Sequence, residues 1–176
     1  MADILEVIKK RKSIYAYKDK PLPKEIINAI LEAARHAPSA SNLQQLEYRV
    51  ITSKSLINKL SDSIHAAMKE QGMPPQGPHH NFFYGAPLLI LIIAPRENIF
   101  APSDSALAAQ SMMLYATSID IGSCFIGMAK LLQKDKSLRK SLNIWDNMNI
   151  EAGVICGYPD EKPALKEKKI KAEFFE

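Results

Sequence analysis

Cysteine is scarce in this sequence. The two present, Cys124 and Cys156, stand far apart and form no CxxC pair. That argues against a disulfide framework and against zinc-finger spacing, and leaves two buried thiols as the simplest reading. Glycine is sparse where phosphate-binding loops need it: no GxGxxG follows an early strand, and no Walker loop occurs. HExxH and GxSxG are missing as well, and no local motif pairs a nucleophile with a base. No arginine cluster interleaves with aromatics, which removes the usual nucleic-acid footprint. The longest apolar run, Pro87 to Pro95, is too short to cross a bilayer as a helix. The first residues lack a basic stretch followed by an apolar core, so no signal peptide is expected and a cytoplasmic location is. An enzyme with no evident nucleophile borrows its chemistry from a cofactor.

What is present suits one domain, residues 1–176, with 47% apolar and 24% charged residues. The net charge of +4 favours an anionic cofactor or substrate. Asp3 is placed to cap a short helix whose stripe is Ile4, Leu5 and Ile8. Pro23 opens a second helix, and Ile26, Ile27, Ile30, Leu31 and Ala34 repeat at helical spacing until Pro38 ends it. Leu46 to Thr52 reads as a strand. Ser53 caps a third helix with the stripe Leu56, Leu60, Ile64 and Ala67. Leu88 to Ala94 is a buried central strand, bounded by prolines. From Pro102 or Ser103 runs a long apolar helix with Leu107, Gln110, Ser111, Leu114 and Ser118 on one face. Ala108, Met112 and Tyr115 widen that contact. Met128 to Leu132 and Lys134 to Ser141 read as short helices. Ile150 to Cys156 has strand character, interrupted at Gly153.

Four stretches carry candidate chemistry. Arg11-Lys12-Ser13 offers a planar donor fork, a mobile charge and a hydroxyl, suited to a phosphate. The same cations would also suit a solvated helix end. Ser39 to Gln45 is a small polar loop of the kind that displays function. Ile121 to Gly127 carries two glycines, which permit approach of a planar ligand or simply tight packing. Gly72 to Pro78, with two glycines and three prolines, is an extended loop or lid leading to His79-His80. A metal pair there is disfavoured, since adjacent side chains diverge and no acidic partner is near. After Pro163 the chain is highly charged yet ends in Phe174-Phe175, so residues 160–176 are expected to lie along the fold or a partner.

Three blocks resemble the nitroreductase family of flavoproteins. They are Arg11-Lys12-Ser13-Ile14-Tyr15-Ala16-Tyr17 with Pro21-Leu22-Pro23; Ala33 to Gln44, containing Pro38-Ser39-Ala40-Ser41-Asn42; and Asp120 to Gly127. Gly85-Ala86-Pro87 and Gly157-Tyr158-Pro159 add support. The resemblance implies an α+β fold with a central, mainly antiparallel sheet flanked by helices. It also implies an intertwined homodimer carrying two FMN molecules at the subunit interface, with 160–176 a C-terminal extension packing on the partner subunit. Arg11, Lys12 and Ser13 match the phosphate-holding block, with Tyr15 where a second basic residue is common. Pro38, Ser39, Asn42 and Gln44 match the flavin-contacting loop, from the opposite subunit. Phe125, Ile126 and Gly127 match the segment beside the isoalloxazine ring. Lys166 and Lys168 match a basic pair closing over the phosphate. Gln45-Leu46 replaces a frequent Pro-Trp. No catalytic side chain and no metal ligand is nominated. The activity implied is NAD(P)H-dependent, ping-pong reduction of nitroaromatics, quinones or similar planar acceptors. The rivals are a related flavin-dependent dehydrogenase and a non-enzymatic flavin-binding protein.

Overall fold

Eight consecutive apolar-to-proline residues, Leu88–Pro95, form the strand on which the molecule is built. In the computed structural model, which describes residues 3–74, 80–164 and 167–175, this strand lies inside a four-stranded sheet. We number the elements α1 (Ile4–Lys10), α2 (Lys24–Arg35), β1 (Glu47–Ile51), α3 (Lys54–Glu70), β2 (Leu88–Pro95), α4 (Ala101–Ser118), β3 (Gly122–Ile126), α5 (Lys136–Ser141) and β4 (Met148–Gly157). Two 3₁₀ segments, Ala40–Asn42 and Gly127–Lys134, complete the order. The sheet runs β1-β2-β4-β3, and every neighbouring pair is antiparallel.

The absence of polar alternation in β2 has a direct cause. Leu89, Leu91 and Ile93 pack into one core with α3 residues Ile57, Leu60 and Ile64. Leu88, Ile90 and Ile92 pack into the other with Ile30 of α2 and Ala108 and Met112 of α4. Both faces are covered, so both must be apolar, and each such side chain contributes about 1.5–3 kcal/mol by burial. Between the partners of Ile92 and Ile93 the opposite strand carries one extra residue, Glu151. The bulge keeps the strand paired while its buried carboxylate meets Lys130 at 3.4 Å.

Several local signals act as the sequence predicts. Asp3 accepts from Leu5 N–H at 3.0 Å and Ser53 from Leu56 N–H at 3.4 Å, capping α1 and α3. At four elements the structure corrects or completes the sequence reading. In α1 the buried side chain is Val7, while Ile4, Leu5 and Ile8 face solvent, because among the described residues α4 is the main element packed on this short helix. In α4 the buried face is Ala108, Ala109, Met112, Met113 and Ala116 rather than the Leu107–Leu114 face. Small side chains let this helix approach the sheet and α2 closely, and Leu107 is left 44% exposed. The glycine-bearing stretch after Ile121 is a strand, β3. β4 starts at Met148 and passes through Gly153 without a break. A Cβ at Gly153 would meet Leu89 at 3.1 Å and Ala129 at 3.2 Å, so the glycine serves close packing there.

The first residues of the C-terminal segment, Asp160 to Pro163, lie along residues 12–16 of their own chain. Residues 167–175 adopt no regular structure, and Phe174 and Phe175 are each 91% exposed.

Candidate functional site

Arg11 sits at the C-terminal cap of α1, its N–H donating to Val7 O. From there the chain runs extended along the sheet edge. Ser13 bridges to Ser123 of β3, and Ile14 N–H donates to Ser123 O at 3.1 Å. On its other side, Lys18 N–H donates to Tyr158 O and Asp160 N–H to Ala16 O, both at 2.9 Å. Lys12 donates to the Pro163 carbonyl, and Tyr15 N–H to the Glu161 carboxylate. Residues 12–18 are therefore clamped between β3 and the root of the C-terminal segment. The backbone pairing itself brings the first and third sequence blocks together.

This clamp borders a cavity of about 530 Å³ lined by Lys9, Arg11, Lys12, Ser13, Tyr15 and Lys168, among others. Four of those side chains are cationic. Lys9 is paired with Glu6 at 2.8 Å, and Lys12 is engaged by a carbonyl. Among the described residues Arg11 and Lys168 have no ion pair and no side-chain hydrogen bond. Two uncommitted cations around an open cavity, with a serine hydroxyl between, are the donor set a phosphate requires. Lys166 lies outside the described residues.

Beneath the clamp lies Cys124. Burial pushes its thiol above the ordinary range, partly opposed by hydrogen bonding from Ser13 and Tyr15 and by the Arg11 charge. A raised thiol stays protonated at neutral pH and is a poor nucleophile. The Tyr15 ring meets Tyr84 edge-on at 4.9 Å. Tyr84 holds a left-handed backbone at φ 53°, an uncommon conformation for a bulky residue. At the end of β3, Phe125 is 42% exposed while Ile126 is buried. The two glycines of this stretch divide the roles left open by the sequence. A Cβ at Gly122 would press on Ile14 at 3.0 Å, so that glycine serves packing. At Gly127 it would meet only the Phe125 ring, at 3.7 Å, so that backbone is open to a planar ligand.

The second block lies elsewhere. After α2 the chain makes the 3₁₀ turn Ala40–Asn42, with Ser41, Asn42 and Gln44 at φ 49°, 55° and 53°. Ser39 Oγ accepts from Gln44 N–H at 3.1 Å, and Asn42 Oδ1 accepts from Gln44 Nε2 at 2.9 Å. Asn42 thus spends its carbonyl on the turn and keeps its amide N–H groups uncommitted. Pro38, Ser39 and Gln44 line a different cavity, of about 550 Å³, with Leu31, Arg35 and Tyr48. Among the described residues none lines both cavities.

Sequence reasoning missed two participants. Tyr84 gave no signal beyond its aromatic neighbours. Asp104 read only as a first-turn acid of α4, yet its Oδ1 accepts from Ala40 N–H at 3.0 Å. His79 lies outside the described residues. His80 packs edge-on to Phe82 and Tyr84, and its carbonyl lies 2.6 Å from His65 Nε2. Among the described residues no cluster of His, Cys, Asp and Glu could hold a metal ion.

The nitroreductase family model matches residues 8–158. An Archaeoglobus fulgidus protein that carries the name NADH dehydrogenase/NAD(P)H nitroreductase is 30% identical, over 92% of this chain and 89% of its own length. The crystal structure of a nitroreductase with bound FMN from Bacteroides fragilis is 30% identical. It superposes with a TM-score of 0.85 over 98% of this chain and 96% of that one. A second, also described as a nitroreductase with bound FMN, comes from Desulfitobacterium hafniense. It is 26% identical with a TM-score of 0.87 over both full chains.

Proposed function

The chain belongs to the nitroreductase family, and on that footing we propose that it is an FMN-dependent NAD(P)H oxidoreductase reducing nitroaromatics, quinones or similar planar acceptors. The observation that carries the reading is the cationic cavity at Arg11, Lys12, Ser13 and Lys168, backed by β3. The chemistry supplied by FMN when bound is hydride acceptance from NAD(P)H and its delivery to a second planar molecule in ping-pong order. The protein's part is to hold and to shape. The Arg11 fork and the Lys168 ammonium bind the phosphate, with Lys12 adding charge while it holds Pro163. Tyr15 stands where a further cation is common in the family and supplies an aromatic wall with Tyr84 instead. Phe125, Ile126 and Gly127 present an accessible backbone to the ring. Asn42 offers its free amide donors, and Pro38, Ser39 and Gln44 border the ring from the other cavity. No side chain is needed as general acid or base.

In this reading one chain supplies the phosphate block and a second copy supplies loop 38–44; that no described residue lines both cavities supports it. A two-fold homodimer would then build two identical sites. The exposed Ile4, Leu5, Ile8 and Leu107, with Phe174 and Phe175 of the extension, support such a pairing, since so many exposed large apolar side chains favour a cover. In this reading the extension packs on the partner subunit beyond Pro163, residues 160–163 being held on their own chain, with Lys166 joining Lys168 over the phosphate.

The test is spectroscopic. Purified protein mixed with FMN should show a bound-flavin spectrum, bleach with NADH or NADPH under anaerobic conditions, and recover when a nitroaromatic or quinone is added. Bound flavin that neither nucleotide bleaches would sink the enzymatic reading and leave a flavin-binding protein.

A further inference from the structure

Asp104 is 2% exposed, and with Glu151 it is one of two buried carboxylates among the described residues. Its Oδ1 accepts from Ala40 N–H at 3.0 Å, and its Oδ2 is buried without any hydrogen-bond partner. A buried carboxylate with half its capacity unused is an expensive way to fill space; an apolar side chain would serve packing better. Its environment explains why it is tolerated. It lies in the first turn of α4, where the helix dipole favours an anion, and it forms a charge-assisted bond to a backbone donor. The helix that carries it is rigid, with Ala108, Met112 and Ala116 fully buried.

The loop it touches is otherwise loose. Bonds from Ser39 to Gln44 and from Asn42 to Gln44 hold the loop's shape, but they are internal to it. Three non-glycine residues sit at positive φ in four positions, 41–44, a conformation that persists only where the surroundings impose it. Among the described residues the Asp104–Ala40 bond is the only hydrogen bond tying residues 38–44 to another element.

We propose that Asp104 is a positioning residue for this loop, fixing through the Ala40 N–H where Ser39, Asn42 and Gln44 are presented. The inference rests on the FMN reading for its consequence, though not for its geometry. Three variants test it by titration of apoprotein with FMN. Asp104→Ala should bind FMN at least about tenfold more weakly, the effect of losing one charged hydrogen bond. Asp104→Asn keeps an acceptor oxygen and should stay within about threefold of wild type. Ala40→Pro deletes the donor itself. The site tolerates it, because Ala40 opens a 3₁₀ turn and Ser39 is extended at φ −133°. A40P should therefore match D104A, and the double variant should be no worse than either single by more than about twofold. A merely structural Asp104 would not show this non-additivity, nor the rescue by asparagine. An A40P protein with wild-type affinity, additive losses, or a D104N protein as impaired as D104A would overturn the proposal. If D104A does not fold, A40P and D104N decide alone. If wild-type protein takes up no FMN, the cofactor reading fails instead. Hydrogen exchange then judges the inference: D104N should leave Gln44 N–H protection unchanged, and A40P should lower it. Equal Gln44 protection in A40P and wild type would overturn the inference.

Discussion

The two cavities differ in how their walls are held, and the difference bears on how such a site is assembled. The Arg11 cavity has a wall fixed by backbone pairing: residues 12–18 are hydrogen-bonded to β3 on one side and to residues 158–163 on the other. Its chemistry sits in long, mobile side chains on that fixed track. The Pro38 cavity inverts this arrangement. Its wall includes Ser39 and Gln44, and their placement comes from a loop with left-handed backbone, tied to α4 by one hydrogen bond among the described residues. A phosphate tolerates flexible cations, because charge acts over distance. A flavin edge, with directional donors and acceptors, needs fixed ones. On the proposed reading, the tail-bearing cavity would supply charge and the loop cavity geometry.

The largest expected effect breaks the charge side. Arg11→Ala should weaken FMN binding by about 2–4 kcal/mol, roughly 30- to 700-fold, if its fork contacts the phosphate in a dry site. Lys12→Ala should cost less, since that ammonium already holds Pro163. Titration of the two apoproteins decides; equal losses would place both cations on the phosphate equally. Next comes the extension. A chain ending at Pro163 loses Lys168 and both terminal phenylalanines. It should sediment as a monomer and bind FMN at least about tenfold more weakly, since it loses the cations Lys166 and Lys168 together with the partner's loop 38–44. Its melting temperature as a monomer should not fall, because Ile170, Phe174 and Phe175 are about nine-tenths exposed and touch little of their own chain. A lower melting temperature with intact dimerisation would place the tail on its own subunit. On the geometry side, Ser39→Ala removes the acceptor for Gln44 N–H. It should cost about 1 kcal/mol, roughly fivefold in FMN affinity.

These predictions draw unevenly on what the sequence disclosed. β2, α2 and α3 were legible because their burial pattern is carried by large residues at clear spacing, Leu88 to Ile93 and Leu60 to Ala67. The buried face of α4 was not, because alanine, serine and methionine give little contrast between its sides. β3 hid behind Gly122, whose missing side chain reflects the press of Ile14 rather than a turn. The candidate site residues were legible only through resemblance: Arg11-Lys12-Ser13 alone equally fits a solvated helix end. Left-handed backbone at Ser41, Asn42 and Gln44 carries no glycine signal, and the Asp104–Ala40 bond joins residues 64 positions apart. Nothing local could announce either one.

The smallest effect, a factor of two, is the sharpest test of whether the two cavities of one chain serve different flavins. Let one subunit carry R11A and the other N42A, with different tags so that the mixed dimer can be isolated. Each homodimer has both sites damaged. Suppose each FMN is held by Arg11 of one subunit and Asn42 of its partner. In the mixed dimer one site then receives both altered residues, and the other receives neither. Flavin content should recover to about half that of wild type, as two-fold symmetry requires. If instead Arg11 and Asn42 of the same subunit share a flavin, each site of the mixed dimer carries one lesion, and no site is restored. The absence of any described residue common to the two cavities favours the first outcome. The measurement is visible flavin absorbance per dimer, a readout that does not depend on turnover. A flavin-loaded monomer at working dilution would remove the premise, since a lone chain would then bring both walls to one cofactor.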